Sequence, residues 1–88
     1  MLKGIKVKDE GGLDYWTYKS CSAQFATGED WATLYLIQSG KEGKGHATIL
    51  LLEAKKYYEA QGKFVAGSVP LNGRMAKLYE KVGYKFYT

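Results

Sequence analysis

The stretch Ser39 to Leu52, SGKEGKGHATILLL, is the feature that most constrains what this chain can fold into. An apolar run, Trp31 to Ile37, enters it; Gly40, Gly43 and Gly45 break the run; a segment with an apolar stripe leaves it. That is the pattern of strand, glycine turn and helix. Glycine lets the backbone take positive φ and lets a ligand approach closely. The first turn of the following helix has amide N–H groups without intrahelical partners, and these, with the positive end of the helix dipole, favour an anion. Physics alone therefore points to a phosphate or pyrophosphate cradle over Gly43, Lys44, Gly45, His46 and Ala47. A strand-to-helix turn that needs glycine only for its shape accounts for the same residues equally well.

Periodicity extends this reading along the chain. Ile5 and Val7 alternate with Lys6 and Lys8, which predicts a half-buried strand over Met1 to Asp9. Gly11-Gly12 is a hairpin turn signal, and Leu13 to Tyr18, with Tyr15, Trp16, Thr17 and Tyr18, forms the return strand. In Lys19 to Asp30, Cys21, Ala23 and Phe25 alternate with Ser22, Gln24 and Ala26, which admits a short third strand before the turn Thr27 to Asp30. Trp31 to Gln38 is nearly continuous in apolar character and reads as a central strand covered on both faces. From Gly45 to Gln61, Ala47, Leu50, Leu51, Ala54 and Tyr58 fall on one helical stripe, and Gly62 stops the helix. Lys63 to Val69 is a strand closed by Pro70; Asn72 stands where an N-cap would, and Met75, Leu78, Tyr79 and Val82 stripe a second helix ended by Gly83. Tyr84 to Tyr87 is a last strand. The expected fold is α/β (α+β), one compact domain over residues 1–88. It has a mixed sheet of five to six strands and two helices in the order β-β-(β)-β-α-β-α-β.

Composition narrows the functional classes. Eight Tyr, two Trp and three Phe give a short chain enough apolar area for a core, and 45% apolar with 25% charged residues is a globular balance. A net charge of +4 favours a polyanionic partner only mildly, because no basic block concentrates it. A single cysteine, Cys21, allows no intrachain disulfide and reads as a small buried residue. With no signal peptide and no long apolar span, a cytoplasmic protein without a membrane partner is the expectation. One His and one Cys do not build a common zinc site. Trp16, Tyr18 and Trp31 are expected in the core.

The glycine turn lacks both the GxGxxG fingerprint and the GK[ST] of a triphosphate loop. A second constellation follows it: Asn72, Ala76, Leu78-Tyr79-Glu80-Lys81, Gly83 and Tyr84. Together the two stretches resemble the C-terminal half of the GNAT superfamily of acyl-CoA N-acyltransferases. The first is similar to that family's Q/R-x-x-G-x-G/A loop through Glu42, Gly45 and Ala47. The second is similar to its N-x-x-A-x-x-L-Y-E-K-x-G-F motif, with one residue more between Asn72 and Ala76 and one fewer between Ala76 and Leu78. The likeness covers about Trp31 to Thr88, and the ordered pair is far more specific than either motif alone.

The resemblance implies a mechanism. Amides of Gly43 to Ala47 would hold the pyrophosphate of acetyl-CoA, with Lys41 and Lys44 screening its charge. The edge of the Trp31–Gln38 strand would pair with the pantetheine arm. A backbone amide at Leu36, Ile37 or Gln38 would polarise the thioester carbonyl under direct attack by an amine. Tyr79 would protonate the departing thiolate, and Asn72 would orient the coenzyme. Glu42 departs from the usual Gln or Arg, and an anion beside a pyrophosphate is unfavourable unless it turns to solvent. Gly11-Gly12 replaces the two helices that the family places between its first strands, so the acceptor half is reduced. A small acceptor cleft, a site completed by a second subunit, and loss of catalysis all fit that reduction. The acceptor amine, small molecule or protein, is open, as is the choice between monomer and homodimer. Glu29 and Asp30 are the carboxylates nearest the central strand and read first as a solvated turn. A non-catalytic protein of the same fold, docking on a macromolecule, is the alternative reading. Nucleic acid is disfavoured, because the GxxG of Gly40 to Gly43 follows a strand and carries Glu42.

Overall fold

The structure is a computed structural model that describes residues 3–39, 45–70 and 73–86. Strands β1 (Lys6–Glu10), β2 (Leu13–Tyr18), β3 (Cys21–Thr27) and β4 (Trp31–Ser39) precede helix α1 (His46–Ala60); β5 (Phe64–Gly67), α2 (Gly73–Val82) and β6 (Lys85–Phe86) follow. The strands form one mixed sheet in the order β1-β2-β3-β4-β5-β6, with two helices, as the sequence patterns predict. β1 to β4 are antiparallel neighbours, whereas β4–β5 and β5–β6 are parallel and are joined through the two helices.

Local chemistry explains the connections. Glu10 pairs with Leu13, so Gly11 and Gly12 form a two-residue hairpin loop, both at positive φ (60° and 88°). That backbone twist matches the strands and is open to glycine at little cost. The next loop is equally tight, since Tyr18 pairs with Cys21, yet it places Lys19 at φ 54°. Both helices end in the same way. Gly62 donates to the Glu59 carbonyl and Lys63 to that of Tyr58, while Gly83 donates to Glu80 and Tyr84 to Tyr79. These paired bonds satisfy carbonyls that the helix itself leaves free.

Both helices lie on one face of the sheet. Trp16, Tyr18, Cys21, Ala23, Phe25, Ala32 and Leu34 point from the strands into a core closed by Leu50, Leu51, Ala54 and Tyr58 of α1 and Tyr79 and Val82 of α2. The expectation that β4 is covered on both faces is therefore corrected. Ala32 and Leu34 are fully buried, but Trp31 is 42% exposed on the other face, where its β5 neighbour Phe64 is 56% exposed. Two crossovers that step the same way across a sheet place their helices on the same side, so an apolar run here does not mean two covers. Trp31 is accordingly not a core residue, whereas Trp16 and Tyr18 are. β1 is exposed along its whole length rather than half-buried, because it is an edge strand that α1 does not reach. No helix among the described residues is long and apolar enough to cross a membrane.

Three tyrosine contacts fix α1 on the sheet. Near its C-terminus, the Tyr58 hydroxyl donates to Asp14 Oδ2 (2.5 Å) and accepts from Trp16 Nε1 (2.9 Å). One turn and a half into the helix, the Leu51 carbonyl accepts from the Tyr84 hydroxyl (2.6 Å). At its start, the His46 ring meets Tyr18 edge-on, with centroids 5.6 Å apart at 85°. Buried hydroxyls are tolerated because they are bonded. Burial pushes the phenols of Tyr58 and Tyr84 up from their ordinary value, reinforced at Tyr58 by the Asp14 carboxylate that accepts its proton.

Candidate functional site

The parallel pairing of β4 with β5 stops early. Its last rung joins Leu34 to Gly67, and Ser68 N–H then donates to the Leu34 carbonyl at 3.0 Å. β4 continues to Ser39, held on its other side by β3 through Ser39↔Cys21. Tyr35 to Ser39 therefore present an edge with no strand partner among the described residues. Leu36, Ile37 and Gln38 lie on it, the first two half-buried and Gln38 exposed. Such an edge offers a row of N–H and C=O groups that an extended chain can pair with.

A bulge lies where the edge begins. Gln24 pairs with Leu36 and Phe25 with Leu34, so Tyr35 is an extra residue in β4, and it is 65% exposed. A bulge bends its strand and raises the local twist. The bend comes directly after the last β5 rung, so β4 and β5 diverge at that point.

Tyr79 of α2 sits over the same rung. A Cβ on Gly67 would lie 2.6 Å from the Tyr79 Cζ, so the ring rests on the bare backbone of the last paired residue. On its other sides it stacks on Tyr84 (6.2 Å, 8°) and packs on Phe86 (5.6 Å, 34°). The residue is fully buried, yet its hydroxyl has no hydrogen-bond partner among the described residues. Ser68 approaches without closing a bond and favours the ionised phenol slightly; burial outweighs it and raises the pKa. A buried hydroxyl without a partner costs about 1–3 kcal/mol. Burial keeps it protonated, which is the state of a proton donor.

α1 supplies the third part. Its N-cap, Gly45, has φ 74° and ψ 7°, no side chain among the described residues caps the helix start, and the first turn holds no acidic residue. The helix is properly closed one turn on, where Ile49 donates to the Gly45 carbonyl at 3.1 Å. An uncapped start with free amides at a left-handed glycine is an anion-binding geometry. Ala47 is half-buried behind it; the His46 ring is half-buried too, with Nδ1 enclosed and unbonded among the described residues. The tie from Tyr84 to Leu51 joins the Tyr79 stack to α1 five residues, about 7.5 Å of rise, from His46.

The structure thus brings Tyr79 to the point where the Leu36–Gln38 edge begins and ties its aromatic stack to α1 near its Gly45–Ala47 start. Glu42, Gly43, Lys44 and Asn72 lie outside the described residues. Glu29 and Asp30 are exposed in the turn before β4. Three residues that sequence reasoning passed over matter here: Gly67, Tyr35 and Asp14. The signal for Gly67 was a glycine three residues before the only proline; Tyr35 left no signal within an unbroken apolar run. Asp14 is a carboxylate on the helix side of the sheet, as is its β1 partner Asp9, but it already accepts from Tyr58 in the α1 anchor, so it is not placed as a free base. Compared with known proteins, the chain matches no family model, no curated protein and no solved structure.

Proposed function

We propose that this chain is an acyl-CoA-dependent N-acyltransferase, transferring an acetyl group from acetyl-CoA to an amine. The observation that carries the proposal is the Leu34–Gly67 rung. Past it lies an open strand edge, over it a buried tyrosine whose hydroxyl has no partner among the described residues, and about a turn and a half of helix away from the tied Leu51 a helix start that no side chain among the described residues caps. These are the three complements of an acyl-CoA: an amide-bearing arm, a leaving thiolate and a pyrophosphate.

In the proposed reaction the arm adds as a strand to Tyr35–Ser39. A backbone N–H of Leu36, Ile37 or Gln38 hydrogen-bonds the thioester oxygen, stabilising the charge that develops when a neutral amine attacks the carbonyl carbon. The carbon–sulfur bond breaks, the sulfur takes the bonding electrons, and the Tyr79 hydroxyl delivers its proton to the thiolate. The amine loses its extra proton to water or buffer. Amides of Gly45 to Thr48 receive the pyrophosphate with the positive end of α1.

Calorimetric titration of acetyl-CoA into the wild type and Gly45→Glu tests this. Glu would add an anion at the helix start and a Cβ to a residue at φ 74°. The expected result is saturable binding to the wild type, weakened at least about tenfold in the variant, with circular dichroism unchanged. Absence of binding to the wild type would overturn the proposal.

A further inference from the structure

Among the described residues nothing covers the face of the sheet opposite the helices, and its composition says what would cover it. Strand pairing assigns to this face alternate residues of every strand, among them Leu13 and Tyr15 of β2, Trp31 and Leu36 of β4, and Phe64 of β5. No outward position of β2, β3, β4 or β5 holds a charged residue, in a chain that is 25% charged. Charges appear only at the margins. Lys6, Lys8 and Glu10 lie on β1, the last two paired with each other at 2.8 Å, and Lys85 lies on β6. An uncharged patch that carries Tyr15, Trp31 and Phe64 inside a charged rim has the anatomy of a protein–protein interface. Parallel strands such as β4, β5 and β6 are moreover seldom left bare on one face.

We infer that this face joins two copies of the chain, sheet to sheet, about a two-fold axis. Charge decides the occupant. A surface whose cations, Lys6, Lys8 and Lys85, stand apart on its two edge strands offers no continuous basic patch to a nucleic acid or an anionic bilayer. It also lacks the charges by which a different protein would be selected. Set against itself, it brings no like charges together at its centre, as an isologous contact requires. The area is adequate. Strands of two to nine residues, about 4.8 Å apart, project roughly 500 Å², and side-chain relief brings this toward the ~800 Å² per partner of a standard interface.

Sedimentation equilibrium over about 1–300 μM is the test, a range that spans the weaker end of interfaces this size. The wild type should dimerise. Phe64→Glu and Tyr15→Lys should each weaken association at least about a hundredfold with circular dichroism unchanged. Leu52→Glu, on the exposed side of α1, should leave it unaltered. A wild type that stays monomeric throughout overturns the inference, as does a dimer that survives both face variants. A readout that needs no variant is acrylamide quenching of tryptophan. Trp16 is buried in the single chain, so the quenchable fraction comes from Trp31 and should fall as dimer forms; a fraction constant across the association transition overturns the inference too.

Discussion

Replacing Gly67 by Ala should lower the thermal midpoint by several degrees, and the size follows from one contact. The new Cβ would stand 2.6 Å from Tyr79 Cζ and 2.9 Å from Cε1 and Cε2, against an ordinary carbon–carbon contact of about 3.5–4 Å. The ring would have to retreat by roughly 1 Å, but Tyr84 is stacked on it, Phe86 packs beside it, and the residue has no exposed surface. Overpacking of this kind costs about 1–3 kcal/mol. Alanine recovers ~0.4–1 kcal/mol by restricting the unfolded chain, leaving a net loss of about 0.5–2 kcal/mol. For a domain of this size that is roughly 3–15 °C in midpoint, read by circular dichroism. The sharper measurement is a double-mutant cycle with Tyr79→Leu, which makes room above Gly67. The two substitutions should be less than additive by about 1–2 kcal/mol in urea unfolding. A Gly67→Ala midpoint indistinguishable from the wild type, or additive behaviour in the cycle, would refute the close packing on which the position of Tyr79 rests.

Tyr79→Phe removes a buried hydroxyl that has no partner among the described residues, so it should leave stability unchanged or raise it by up to about 1 kcal/mol. In an acetyl-transfer assay the same variant should lose ~100-fold in kcat with little change in acetyl-CoA affinity, separating a proton donor from a packing residue. Asp14→Ala should cost about 1–3 kcal/mol in urea unfolding, because the Tyr58 hydroxyl loses its acceptor; adding Tyr58→Phe should recover part of that. Stability should also fall in alkali. The phenols of Tyr58, Tyr79 and Tyr84 are raised above their unfolded value near 10. Above that pH the unfolded chain has released protons that the folded chain still holds, so stability drops as pH rises, by up to ~1.4 kcal/mol per unit for each phenol involved. Urea midpoints at about pH 9 and pH 11 check the sign; a midpoint that holds or rises would contradict it.

What the sequence disclosed and what it hid divide along the range of the interactions involved. The Gly11-Gly12 hairpin and the helix stops at Gly62 and Gly83 were legible because a backbone at positive φ leaves a mark on residue choice within a few positions. The helix stripes of Ala47–Tyr58 and Met75–Val82 were legible because the 3.6-residue period repeats locally. The turn at Lys19 was hidden, since its left-handed residue is not a glycine. The bulge at Tyr35 was hidden too, because an extra residue shows only against the register of β3. The apolar run of β4 misled, since Trp31 and Ala32 are equally apolar yet lie on opposite faces, and which face is covered depends on how two crossovers step across the sheet. At the candidate site, Gly45 stands out in the sequence for its turn and Tyr79 for its place in a motif. Gly67 left only its place three residues before Pro70 as a mark, because it matters through a ring twelve residues further along the chain.

Gly67 also shows why the open edge and the tyrosine occur together. A side chain at the last β5 rung would hold α2 away from the sheet by about the width of a methyl group. Without one, α2 drops onto the backbone and the Tyr79 ring takes the space that a strand side chain would fill. The chain then has to leave the sheet to reach α2, through Ser68, Val69 and Pro70; Ser68 still donates to Leu34, but Pro70 has no N–H to offer β4. Pairing beyond Leu34 is lost for the same reason that the ring is close, and the bulge at Tyr35 turns the freed strand away. The tip of Tyr79 is thereby held over Gly67, in the last rung before the unpaired edge, with no hydrogen bond among the described residues to hold its hydroxyl otherwise engaged. Groups arranged in that way are fixed in position before any ligand arrives, which is the condition under which a single hydroxyl and a single amide can lower a barrier.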